Sequence, residues 1–200
     1  DFFYFTLAAG ALGVAFMPFL ADRLDKGDLK GIYELSNSLL NLLAVVMLIV
    51  AVIILIFAEP LVHYIVAPNM TPEQLDNATT IMRLIAFNPL LFTISAIFVS
   101  VQQTFGRFFF YAMTTLIYNT MIILSIFMFR DNIGLVGLGI GALAGAIAQL
   151  LIAILGFVGM KYKYNAKIKW NNPDFKKILK QLPPRSLDQG VDSLNSIVET

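Results

Sequence analysis

Five stretches of this sequence run for close to twenty residues or more without one charged side chain: Phe2–Leu20, Ser36–Ala58, Leu84–Val101, Phe108–Phe129 and Ile133–Met160. An α-helix rises 1.5 Å per residue, so about 20 residues cross the roughly 30 Å of bilayer hydrocarbon. None of the runs has a polar face of any width, which a helix on a soluble core requires. Only 14% of the residues are charged, against about 25% in ordinary globular domains. The pattern specifies an all-α polytopic membrane helix bundle over residues 1–160, with helices near 2–20, 36–58, 80–103, 108–129 and 133–160.

Charge placement orients the bundle. Of fourteen Lys and Arg, all but Arg83 and Arg130 fall on one side if the loop at Asp22–Asp28 is cytoplasmic. The positive-inside rule then starts the first span outside. The chain lacks cysteine, which excludes disulfides and thiolate metal sites. It opens on Asp1 without a basic leader, and its last segment is only beginning at Thr200. The expectation is about five complete transmembrane helices plus the start of a sixth, excerpted from a longer protein.

The polar residues inside this apolar frame are the candidates for function. The first run contains Gly10, Gly13 and Pro18, which weaken a helix. Ser36, Asn37, Ser38 and Asn41 open the second run and read either as interfacial caps, the preferred reading, or as hydrogen-bonding partners of neighbouring segments. Thr71-Pro72-Glu73-Gln74 reads as an N-cap followed by proline at the first helical position. His63, the only histidine, stands beside Tyr64 and reads as half of an interfacial aromatic pair. Pro89 removes the helical donor of the Ile85 carbonyl. Asn119, midway along the fourth run, is either packing glue or a pathway residue. Gly137, Gly141 and Gly145 recur every fourth residue and lay bare one helix face for close contact.

After Met160 the chain turns basic. Residues 161–185 carry seven lysines and are expected to form a cytoplasmic interfacial segment with a short helix capped by Asn172. Phe175, Ile178, Leu179 and Leu182 would meet lipid, with Tyr162, Tyr164 and Trp170 as belt aromatics. Lipid, and not nucleic acid, is the expected partner. Residues 186–200 read as the start of a further membrane helix. Asp188, Asp192, Asn195 and Glu199 form one stripe on it, and carboxylates in a bilayer normally face a cavity.

Taken in order, LAAGALGVAFMPFLADRL, NSLLNLL, EPLVHYIVAPNMTPEQL, TTIMRLIAFNPLLFTISAIF, VQQTFGRFFFYAMTTLIYN, GLVGLGIGALAGAIAQLL and LPPRSLDQGVDSLNSIVE resemble the MurJ/MviN family of lipid II flippases. The likeness covers essentially the whole chain. It implies a piece of a fourteen-helix transporter, from the second helix to the opening of the seventh. It also implies a function, moving the lipid-linked peptidoglycan precursor across the bacterial cytoplasmic membrane by alternating access, as a multi-pass monomer without enzymatic chemistry. The resemblance places Asp1, Gly10, Pro18, Arg83, Asn119, Asp192 and Asn195 along or near the substrate path. Glu199 falls where some members hold a sodium ligand, which makes sodium or the membrane potential the expected driving force. Tyr4-Phe5 stand where many members have paired arginines, and Ala9 replaces an acidic residue. Cations for the diphosphate would then come from the first or eighth helix. Two alternatives stand beside this reading: another polyprenyl-lipid or polysaccharide flippase or multidrug exporter of the same superfamily, and a membrane-embedded transferase.

Overall fold

The computed structural model describes residues 16–66, 71–129 and 132–181. Among them there is no strand. The elements, in order, are α1 (Met17–Asp25), α2 (Leu29–Leu61), a π-turn (Val62–Val66), α3 (Pro72–Leu84), a 3-10 turn (Ile85–Phe87), α4 (Asn88–Thr104), α5 (Phe108–Phe129) and α6 (Val136–Leu155). A last helix, α7, covers 173–181. Four continuous helical stretches among the described residues are long and apolar enough to cross a membrane: Leu29–Tyr64, Pro72–Thr104, Phe108–Phe129 and Val136–Leu155. The chain is a polytopic helical bundle.

Local chemistry sets where the helices start and bend. Gly27 takes φ 71° to turn the chain between α1 and α2, and Asp28 caps α2 by accepting from the Gly31 amide at 2.8 Å. The cap therefore lies upstream of the Ser36–Asn41 cluster expected to supply it. Ser36 and Ser38 instead lie inside the helix and donate to the carbonyls of Ile32 and Glu34, each at 2.7 Å. At the other end, Pro60 sits within α2 and cannot donate to Ile56, and the backbone leaves helical geometry at Phe57 (φ −100°, ψ 16°). Thr71 and Gln74 form a complete capping box on α3, with Pro72 in the first turn. The expected break at Ile85 takes the form of the 3-10 turn between α3 and α4.

Packing follows the glycines. The α5–α6 pair makes the most extensive helix contact. A Cβ at Gly137, Gly141 or Gly145 would run into Phe129, Ser125 or Tyr118 of α5, so the small-residue face is what lets the backbones approach. Gly139, on another face, lies against Ile81 and Leu84 of α3, and α6 is thereby held between two partners. A second core gathers Phe16, Leu20, Ile32, Leu35, Leu39, Met47, Ile97 and Val101 with Phe175 and Ile178. Phe175 and Ile178 are fully buried. These two residues of the α7 face expected to lie in lipid are thus covered by protein, in a core shared with α1, α2 and α4, while Leu179 is half-buried and Leu182 lies outside the described residues.

Gly141→Leu is expected to cost about 1–3 kcal/mol, the usual penalty for overpacking, read as a lower melting temperature of the purified full-length protein in detergent. Ile147→Leu, on the exposed part of α6, should leave that temperature unchanged.

Candidate functional site

The described part of the expected substrate path is dispersed. Pro18 is exposed in the first turn of α1, two residues after Phe16, whose backbone is already helical. Arg83 is exposed in the last turn of α3. Asn119 is exposed on α5, and its amide donates to the Thr115 carbonyl of its own helix at 3.0 Å. No hydrogen bond or ion pair joins any two of these residues. Asn119 also makes no side-chain hydrogen bond to another described helix. Asp1, Gly10, Asp192, Asn195 and Glu199 lie outside the described residues, as do Tyr4, Phe5, Ala9 and Asp188. No three His, Cys, Asp or Glu gather as a metal site among the described residues. His63 and Tyr64 stack edge to face with ring centroids 4.6 Å apart.

Arg83 does line a hollow of about 230 Å³ with Glu59, Pro72, Leu75, Asp76 and Thr79. The hollow lies where the kinked end of α2 meets α3. Thr79 is buried, and its hydroxyl has no partner among the described residues.

The dense polar chemistry sits at the opposite end of α2, where residues 161–169 form a strap without helix or strand pairing. The Asn37 amide accepts from the Tyr162 hydroxyl at 2.5 Å and donates to the Lys163 carbonyl at 2.9 Å. One helical turn later Asn41 repeats the pattern, accepting from Tyr164 at 2.7 Å and donating to the Asn165 carbonyl at 2.8 Å. Four helical residues rise about 6.0 Å and two extended residues about 6.6 Å, so the two repeats stay in step. Asn165 then accepts from the Lys167 amide at 3.0 Å and turns the strap back. On the return, the Lys169 amide donates to Ser38 Oγ at 3.0 Å.

Burial, helped by the nearby Tyr164 and Tyr33 phenols, raises the Tyr162 pKa well above its ordinary value. Tyr162 therefore remains a neutral donor to Asn37. Its ring also meets Phe157 at 4.4 Å and Tyr33 at 5.2 Å between centroids. Of the three expected belt aromatics, Tyr164 and Trp170 are exposed while Tyr162 is turned inward.

Two basic residues lock the ends of helices around the strap. Arg23, with a side chain only 15% exposed, bridges Asp28 at 2.7 Å and Asp174 at 2.8 Å. It ties the α1–α2 turn to the start of α7, where Asn172 Oδ1 accepts from the Asp174 and Phe175 amides as the expected cap. At the α4–α5 turn, Gln102 Nε2 donates to the Ala153 carbonyl at 2.6 Å, and Arg107 donates to the carbonyls of Gly156 and Val158 at 3.0 and 2.7 Å. These bonds satisfy the Ala153 carbonyl in the last turn of α6 and two carbonyls just past its end, and the guanidinium complements the negative helix end. Gly156 has no side chain because one would occupy the space of the Gln102 amide.

The strap and these two locks were not identified as contacts from sequence. The signal was present in the spacing: an Asn pair four apart on a helix facing a Tyr pair two apart on an extended segment.

A family model described as lipid II flippase MurJ matches residues 1–200. The chain is 27% identical over 146 residues to the probable lipid II flippase MurJ of Borreliella burgdorferi, covering 73% of this chain and 28% of that protein. It is 23% identical over 197 residues to the probable lipid II flippase MurJ of Buchnera aphidicola subsp. Schizaphis graminum, covering 96% of this chain and 38% of that protein. The chain thus spans between a quarter and two fifths of the length of these curated relatives.

In chemical unfolding of the full-length protein, Asn37→Ala and Tyr162→Phe are each expected to cost about 1–2 kcal/mol. The double variant should fall short of the sum by at least about 0.5 kcal/mol. Strict additivity would mean that the Asn37–Tyr162 bond contributes nothing. Asn119→Leu should change stability by less than about 0.5 kcal/mol, since its observed bond is to its own helix.

Proposed function

This chain belongs to the MurJ family of lipid II flippases, and on that premise we propose that it forms part of a transporter carrying lipid II across the bacterial cytoplasmic membrane. The observation that carries the reading is the family match along all 200 residues, joined to the four membrane-length helices. The cargo poses a physical problem. A diphosphate–sugar–peptide head group cannot enter hydrocarbon bare, because its charges and hydrogen-bonding groups would go unsatisfied. The transporter encloses that head in a wet cavity while the polyprenyl tail stays in lipid.

Alternating access requires parts that move as bodies. The described helices have the construction of such a body: glycine-mediated contact between α5 and α6, a shared core under α7, and the strap bound along α2. The protein is a transporter and not an enzyme in this reading. It works as a monomer in the inner membrane, driven by sodium or by the membrane potential. The segment 186–200 begins the next membrane helix and turns Asp188, Asp192, Asn195 and Glu199 toward the cavity. Asp1, Gly10 and Pro18 belong to a cavity-side helix that bends, and Glu199 is the candidate sodium ligand. Arg83 and Asn119, exposed on α3 and α5, are further candidate residues of the path in this reading. One sequence observation favours a second reading, export of another polyprenyl-linked or amphipathic cargo: Tyr4-Phe5 replace the arginines that many family members present to the diphosphate.

Expression of the full-length gene in a bacterium depleted of its lipid II flippase is expected to restore growth and cell shape. Absence of rescue despite membrane insertion would overturn the lipid II assignment. Within a rescuing protein, Asp192→Asn combined with Glu199→Gln should reduce rescue sharply. Full rescue by that variant would remove the carboxylate stripe from the mechanism.

A further inference from the structure

The strap has a fixed orientation, and orientation decides what its charges meet. Tyr162 and Tyr164 point to α2 through their hydroxyls. Successive side chains of an extended segment alternate in direction, so Lys161 and Lys163 point away from the bundle, and both are exposed. Lys167, just past the turn at Asn165, is also exposed. None of these three lysines has an ion-pair partner among the described residues. The nearby acids are engaged elsewhere: Asp174 meets Arg23 and Lys177, and Glu34 meets Lys169 on the return limb. Three unpaired ammonium groups are therefore held on one outward surface, beside the exposed rings of Tyr164 (61%) and Trp170 (54%).

The depth of this surface follows from the length of α2. Its 33 residues extend about 50 Å, some 20 Å more than bilayer hydrocarbon. The pure apolar stretch begins after Asn41, so the turns carrying Asn37 and Asn41 lie at headgroup level. Exposed aromatic rings beside lysines are the side-chain set of that zone. Phe175 and Ile178 of α7 are fully buried and supply no lipid contact, whereas the strap is exposed at most of its positions.

We propose that the strap is a docking surface for the phosphate headgroups of anionic phospholipids, presented by Lys161, Lys163 and Lys167 and held in place by the Asn37–Asn41 ladder. Charge complementarity selects the occupant: three unneutralised cations at headgroup depth favour a lipid carrying net negative charge over a zwitterionic one. The ladder adds that the backbone carrying the cations is ordered before the lipid arrives, so little chain freedom is lost on binding. The proposal concerns lipid binding and stands whether or not the cargo is lipid II.

The test uses the purified full-length protein in nanodiscs of pure phosphatidylcholine and of phosphatidylcholine with phosphatidylglycerol, without cargo and without transport. The melting temperature is expected to rise in the phosphatidylglycerol discs, and the rise should vanish in about 1 M salt, where the screening length is about 3 Å. The surface variant K161Q/K163Q/K167Q should melt normally in phosphatidylcholine. It should lose the rise, with headgroup affinity down on the order of 100-fold at the usual contribution per lysine. N37A/N41A, which keeps every lysine and frees the strap, should lose most of the rise as well; Y164F supplies a milder release should N37A/N41A fold poorly. K26Q should keep the rise in full, since Lys26 is paired with Asp22 at 2.6 Å. The proposal is overturned if phosphatidylglycerol gives the unchanged protein no salt-sensitive rise, if the triple lysine variant keeps the rise, or if freeing the strap leaves it intact.

Discussion

Hydrocarbon offers a backbone amide no hydrogen-bond partner and gives two apolar helices no solvent-driven reason to associate. Contact between helices must therefore come from shape, and in this bundle the shape is set by α6. Gly137, Gly141 and Gly145 admit α5 on one side, and Gly139 admits α3 on another. Bulkier residues there would push α3 and α5 away, and the turns that depend on their separation would lose their geometry. The α4–α5 turn is the clearest dependant, because Gln102 and Arg107 reach the carbonyl end of α6 only from close range.

The polar contacts are concentrated at one end of the bundle. Arg23, Asp28, Asp174 and Asn172 tie α1, α2 and α7 together, and the strap adds five hydrogen bonds to α2. The middles of the spans rely on apolar packing, with Ser and Thr hydroxyls mostly returned to carbonyls one turn back, as at Thr93 and Ser100. This division follows the medium. At headgroup level polar groups can be exchanged between water and protein at modest cost, and there they can specify which segments meet. Deeper in the bilayer an unmade bond is expensive, so side chains are satisfied locally.

Much of the architecture was legible before any coordinates. Span length and the absence of charge mark the membrane helices, and a four-residue glycine repeat marks a contact face, because each is a property of one continuous segment. Thr71-Pro72 and Asn172-Pro173 mark helix starts for the same reason. The cap of α2 was misplaced at Ser36 because polarity alone does not separate a cap from a buried partner. Asp28 and the turn at Gly27 decide it. The strap reads from sequence as charge with belt aromatics and not as a contact with α2, since Asn37 and Tyr162 are 125 positions apart. Phe175 and Ile178 of α7, expected in lipid, are buried in protein, because an amphipathic helix has the same pattern whether a membrane or a neighbouring helix covers it. Arg83, Asn119 and Pro18 share no hydrogen bond or ion pair, and Asp1, Gly10, Asp192 and Asn195 lie outside the described residues.

The ladder between α2 and the strap behaves like two rulers of different graduation laid edge to edge. Their marks coincide only because four divisions of one nearly equal two of the other. Losing or gaining a single residue between Tyr162 and Tyr164 would put one phenol on the wrong side and leave its asparagine facing nothing. A change of two residues would merely skip a mark. Length variation here is therefore quantised in pairs, and a lone insertion at this point would act as a frame error in the fold, even where every substituted side chain was harmless.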